Sequence, residues 1–163
     1  MNTRYLSFFA SLLLTSGAAA GTAERYLTVA IEEYEARHDV CWQQQDAREF
    51  ELSDASVKAL SLYPPDDVSL YLMARSAQLL DQCTQPQFGQ LAITLLTLEP
   101  ADLSADVREK KQGMKELVFA PIRWTFEQQY QTLPLEMREH LGALPELQSP
   151  FNSAVIRDQL GIK

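Results

Sequence analysis

Three apolar runs of this chain stop at a proline. "LSLYPPDD" ends its run at Pro64, "LTLEPADL" at Pro100 and "YQTLPLEM" at Pro134. Proline lacks the amide donor that a helix interior needs, and its ring clashes with the preceding turn. Each of these positions is therefore a place where a helix must stop. Between the stops, period-two alternation is almost absent and apolar residues recur at three and four, the spacing of one helix face. Punctuation returning about every 35 residues predicts an all-α chain built from pairs of helices.

The pairs can be drawn on the sequence. A first helix over about 24–45 carries Tyr26, Leu27, Ala30, Ile31 and Tyr34 on one face, with Glu32, Glu33 and Glu35 turned away. Ser53 offers an N-cap oxygen to a second helix with Val57, Ala59 and Leu60, which ends at Pro64. Asp66 and Asp67 suit the amino terminus of a third, about 66–83, burying Val68, Tyr71, Leu72 and Leu79. Pro86 opens a fourth with Phe88, Leu91, Leu95 and Leu98. Ser104 caps a fifth, in which Met114, Val118, Ile122, Phe126 and Tyr130 form one row, and Pro121 breaks that row near Phe119. A short helix from Pro134 to Leu141 ends at Gly142, a candidate left-handed terminator. "LPELQSP" reads as a loop, and a last helix over about 151–160 stops before Gly161.

Shorter helices thus start near Ser53, Pro86 and Pro121, each preceded by a longer one. Three degenerate helical hairpins, closed by a C-terminal capping helix pair, are the expected architecture. A period of this length ending in proline resembles the tetratricopeptide repeat over residues 24–134. Ala59 matches that family's small residue five before the proline, Phe126 its aromatic eight before, and Ser76 the small residue of the longer helix. Leu95 and Gln129 put bulk where the family is small, as Leu52, Phe88 and Ile122 do at its alanine. The resemblance implies a protein-binding scaffold with a concave face and carries no ligand residue over. An irregular helical bundle accounts for the same pattern.

The start of the chain reads as an export signal. Met1–Arg4 is basic, Tyr5–Leu14 is mostly apolar, and the small-residue stretch after it places Ala18 and Ala20 for cleavage. A signal peptide over 1–20, cut near Ala20 or Ala23, leaves one helical domain over 24–163. Arg4 is the one basic residue in that leader, which holds none of the 22 acidic residues, so its removal takes the net charge from -8 to about -9. Such a surface repels phosphate backbones and anionic headgroups. Nucleic acid and membrane insertion are therefore not expected, and a basic protein is the partner that the charge would steer. Cys41 and Cys83 are the two cysteines. In an oxidising compartment such a pair reads as a disulfide, whereas a redox motif would place the thiols two residues apart at a helix start.

The residues that could carry chemistry are few. The six glycines never pair into Gly-x-Gly, and no Gly-x-Ser-x-Gly elbow exists. Glu35-Ala-Arg-His38 has the Glu-x-x-His spacing of carboxylate-bridged metal bundles. A second copy is missing around His140, where Met137 stands three residues before it. His38 and Cys41 could share one zinc ion, although a disulfide consumes that thiol. Metal, cofactor and catalysis are accordingly not expected, and His38 reads as a structural or surface residue. Trp42 and Trp124 read as core, and Gln43, Gln44, Gln45, Gln128 and Gln129 as solvent-facing. The expected function is an exported, periplasmic or secreted, non-catalytic protein-binding module: an adaptor or chaperone-like accessory. The alternatives are an immunity protein or inhibitor of a basic enzyme or toxin and, from another class, a helical metal-binding or enzymatic bundle around Glu35 and His38.

Overall fold

The computed structural model describes residues 15–46 and 51–162, with the side chains of 15–20 and 122–124 outside the description. Among these residues the chain is all-α. The helices are α1 (Thr15–Asp46), α2 (Asp54–Leu60), α3 (Pro65–Thr84), α4 (Gln87–Thr97), α5 (Ala105–Val118), α6 (Pro121–Thr132), α7 (Leu135–Gly142) and α8 (Ser153–Gln159), with single 3-10 turns at Pro100–Asp102 and Pro145–Leu147. Of the signal peptide expected over 1–20, residues 1–14 lie outside the described residues. The chain is already helical from Thr15, ahead of the start expected near residue 24.

Prolines set most of the boundaries. Pro65, Pro121 and Pro134 stand at helix starts, where their missing amide costs nothing. The expected break in the Met114–Tyr130 row falls between Val118 and Pro121. Ser53 caps α2, its Oγ accepting from the Ser56 amide. Ser104 makes no side-chain cap on α5. Its own amide instead donates to Glu24 Oε1 at 2.5 Å, so a carboxylate from α1 takes the capping role, and that hydrogen bond lowers the Glu24 pKa.

The left-handed terminator is Gly161 rather than Gly142. Its φ is 68°, and the Gly161 and Ile162 amides donate to the Asp158 and Arg157 carbonyls. Those two bonds close a Schellman motif after α8. Gly142 lies inside α7, next to the Tyr71 hydroxyl.

Two hydrophobic cores result. One joins Leu27, Ala30 and Ile31 of α1 to Leu91 and Leu95 of α4, Leu103, and Val118 of α5. The other collects Leu60 of α2, Val68, Tyr71, Leu72 and Leu79 of α3, Met137 and Leu141 of α7, and Ile156 of α8. Leu147, from the segment expected to be a loop, and Phe151, expected to open the last helix but lying ahead of α8, are fully buried in this second core. At about 1.5–3 kcal/mol for each large side chain withdrawn from water, that segment is part of the framework. A buried hydrogen-bond network fixes it: Gln45 Nε2 donates to Ser76 Oγ and to the Phe151 carbonyl, and Ser76 Oγ donates to the same carbonyl. Gln45, expected in solvent, is only 8% exposed.

The principal packing runs between α1 and α4, α1 and α3, α3 and α8, and α3 and α6. Consecutive pairing is secondary: the main partners of α1 are α4 and α3 rather than α2. The arrangement is an all-α bundle in which α3 contributes to the second core and packs on α1 of the first. The Cys41–Cys83 disulfide joins α1 to α3, with Cα atoms 6.0 Å apart. Beside it, Arg37 Nε donates to the Cys83 carbonyl at 2.8 Å. Lys111 of α5 is 8% exposed, and its Nζ donates to the Leu98 carbonyl at the end of α4. A cation there offsets the negative pole of that helix.

Candidate functional site

A cleft opens between the two cores, along the seam where α1 packs on α3. Its floor and walls come from five helices and one turn. On α3, Ala74 and Ala77 are small, and Leu80 and Thr84 continue their row. On α1, Tyr34 and His38 stand one turn apart, with ring centroids 5.8 Å apart. Trp42 extends that row, stacked on His38 at 6.1 Å, and Phe88 of α4 packs on Tyr34 at 6.0 Å. Met114 and Leu117 of α5, Phe119 in the turn, and Phe126 of α6 close the far side. The enclosed volume is about 740 Å³, within the range of ligand-binding sites.

The rim is acidic. Glu35 and Asp39 from α1, Asp81 from α3 and Glu127 from α6 line the cleft, and no lysine or arginine does so among the described residues. Glu127 is held in place, its two carboxylate oxygens accepting from Gln78 and Gln131 at 3.1 and 2.7 Å. Along the same α1–α3 seam lies a smaller recess of about 260 Å³. It is lined by Trp42, Gln45, Asp46, Met73, Ser76 and Asn152, among others. Ala77 and Leu80 border both spaces, which makes one trough of the two.

Glu35 and His38 both face this cleft, but no third candidate ligand joins them. Among the described residues, no three of His, Cys, Asp and Glu gather as a metal site, and the Cys41 sulfur is held in the disulfide. His140 lies elsewhere, its Nδ1 2.9 Å from the Tyr63 hydroxyl. Trp42, expected in the core, is 49% exposed beside the trough. The side chain of Trp124 is outside the description.

Reading the sequence did not find the lips of the cleft. Leu117 is 61% exposed, and Phe119 next to the Pro121 break is exposed as well. The signal for them was that break: a helix interrupted in mid-row leaves some apolar residues with nothing to face. Chemically, the arrangement can bury apolar groups along α3 and hold positive charge at the rim.

The two cysteines are paired, as their number and spacing led one to expect. The disulfide is compatible with an oxidising compartment. No described helix is long and apolar enough to cross a membrane. No protein-family model matches the chain, and neither a curated protein nor a solved structure matches it.

Proposed function

We propose that this chain is an exported, non-catalytic protein-binding module, an adaptor or chaperone-like accessory of the periplasm, which seats a basic partner in the cleft between its two cores. One observation carries the reading. A five-helix apolar cleft is rimmed by Glu35, Asp39, Asp81 and Glu127, with no lysine or arginine among its described lining residues. Exposed apolar lips rimmed by charge are the signature of an interaction site rather than of ordinary surface. Opposite charge on a partner would both steer the encounter and fix its register. The leader pattern and the disulfide support the export half of the reading.

A second reading is favoured by the net charge of -8: an immunity protein or inhibitor that silences a basic enzyme or toxin. The test of the first reading is affinity capture from the native envelope with the processed chain as bait, run beside an Ala77→Trp bait. Ala77 is exposed and borders both parts of the trough, so tryptophan there fills the seat without entering a core. A basic protein retained by the first bait and lost from the second is expected; equal recovery on both contradicts the cleft as the seat. An inhibitor would abolish the activity of the protein it captures, whereas an adaptor would leave that activity intact.

A further inference from the structure

Resting on that reading, we propose that the partner enters as an amphipathic α-helix of about three turns bearing lysine or arginine. It lies along the α1–α3 trough with its apolar face on Ala77 and Leu80.

Length is the first argument. The lining residues of α1 run from Tyr34 to Asp46, about 18 Å at the helical rise. A docked helix of about 12 residues covers that span.

The second argument is where backbone hydrogen bonds can go. Apart from Phe119, Ala120 and Asn152, the lining residues belong to helices, so away from the helix ends their amides and carbonyls are engaged in those helices. No strand edge exists among the described residues. An extended peptide would leave its own amides unpaired against an apolar wall, which is costly. A helix arrives with these groups already satisfied.

Charge is the third. Glu35, Asp39, Asp81 and Glu127 give the larger space a negative potential that draws cations. Long basic side chains can lay their stems on an apolar floor and reach the rim with their heads. The ring faces of Tyr34, His38 and Trp42 add a surface on which a guanidinium can stack.

The fourth argument concerns size. Trp42 lies outside the larger space, against the smaller recess, and is 49% exposed. A small ligand filling the larger space would leave that indole wet, whereas a helix running along the trough extends over it.

The test uses a labelled peptide of about 14 residues made of leucine and lysine, with the leucines on one helical face. An isomer of equal composition has them spread around the helix, and a third version carries glutamate in place of lysine. Fluorescence anisotropy with the purified chain reads the affinities. The one-face peptide is expected to bind at least about tenfold tighter than its isomer, because one face can then be buried together, and to weaken as salt rises. Ala77→Trp and Asp39→Lys should each weaken it by a similar factor; both positions are exposed.

Equal binding of the isomer, equal binding of the glutamate version, or indifference to both substitutions overturns the proposal. So does tighter, competing binding of monomeric dodecyltrimethylammonium, which would assign the cleft to a small cationic amphiphile. If the peptide fails while partner capture still depends on Ala77, the helix is overturned and the protein-binding reading stands. If both fail, both fall.

Discussion

Cys41 of α1 and Cys83 of α3 are bonded where the two helices that border the cleft come together. Cys41 is fully buried there, and the Arg37 guanidinium binds the Cys83 carbonyl alongside. The bond spans 42 residues of chain, and loop closure over that length restricts the unfolded ensemble by about 4 kcal/mol in the chain-entropy account.

Replacing both cysteines by alanine is therefore expected to cost about 4 kcal/mol, a large share of the roughly 5–15 kcal/mol that holds a domain together. Urea denaturation of the purified double variant against the parent measures it. A loss below about 1 kcal/mol would show that the α1–α3 seam is held by packing alone.

Glu146 clamps the start of α2 from the other end of the second core. Its carboxylate accepts from the Ser53 amide at 3.1 Å, Ser53 Oγ at 2.7 Å and Ser56 Oγ at 2.8 Å. The hydrogen bond from the Ser53 hydroxyl is the main cause that lowers its pKa to about 2 from 4.5, opposed by partial desolvation. The folded value is depressed, so the stabilisation is complete above pH 4.5 and is lost as the pH falls through about 2. Because the group is largely solvated, its worth is set at roughly 1 kcal/mol. Thermal unfolding of Glu146→Gln should show that loss at neutral pH and a flatter decline in acid. Parallel acid profiles for variant and parent would remove the clamp from the account.

Tyr71 makes the opposite kind of prediction. Its ring is fully buried 5.9 Å from Tyr130, and its hydroxyl has no hydrogen-bond partner among the described residues. An unpaired buried hydroxyl is a cost, so Tyr71→Phe is expected to leave stability unchanged or to raise it by about 1 kcal/mol. Burial, with a smaller contribution from Tyr130, pushes the phenol up to about 12 from 10. A raised folded value means stability intact below pH 10 and declining as the pH climbs through 12. Phenylalanine removes that share of the alkaline decline. Chemical denaturation at pH 7 and pH 10.5 checks both, and a loss above about 1 kcal/mol at pH 7 would mean that the hydroxyl is bonded.

The helices were legible because their signals are local. Pro64, Pro100, Pro121 and Pro134 mark stops and starts without reference to the rest of the chain. Val68, Tyr71, Leu72 and Leu79 declare their buried face by spacing alone. Which helix packs on which was not legible. The tetratricopeptide resemblance pairs α1 with α2, yet α1 lies principally on α4 and α3, a choice made by side chains far apart in sequence.

Leu147 was missed because a segment bounded by Pro145 and Pro150 has no periodicity to reveal what it buries. Gln45 was missed because burial of an amide depends on Ser76 and the Phe151 carbonyl meeting it. The cleft was half visible. Glu35 and His38 stood out by type and spacing, but the wall opposite them comes from α3, α5 and α6, and no single stretch of sequence carries that juxtaposition.

The central claim is that the α1–α3 trough is where the partner sits. The most direct measurement is the methyl NMR spectrum of the processed chain, titrated with the partner recovered by capture. The methyls of Leu80, Met114 and Leu117 around the cleft are predicted to shift and broaden. Those of Leu141 and Ile156 in the second core should hold still, as should those of Ile93 and Leu96 on the exposed side of α4. Shifts confined to Ile93 and Leu96, with the cleft methyls unmoved, would place the interaction on another face and contradict the account.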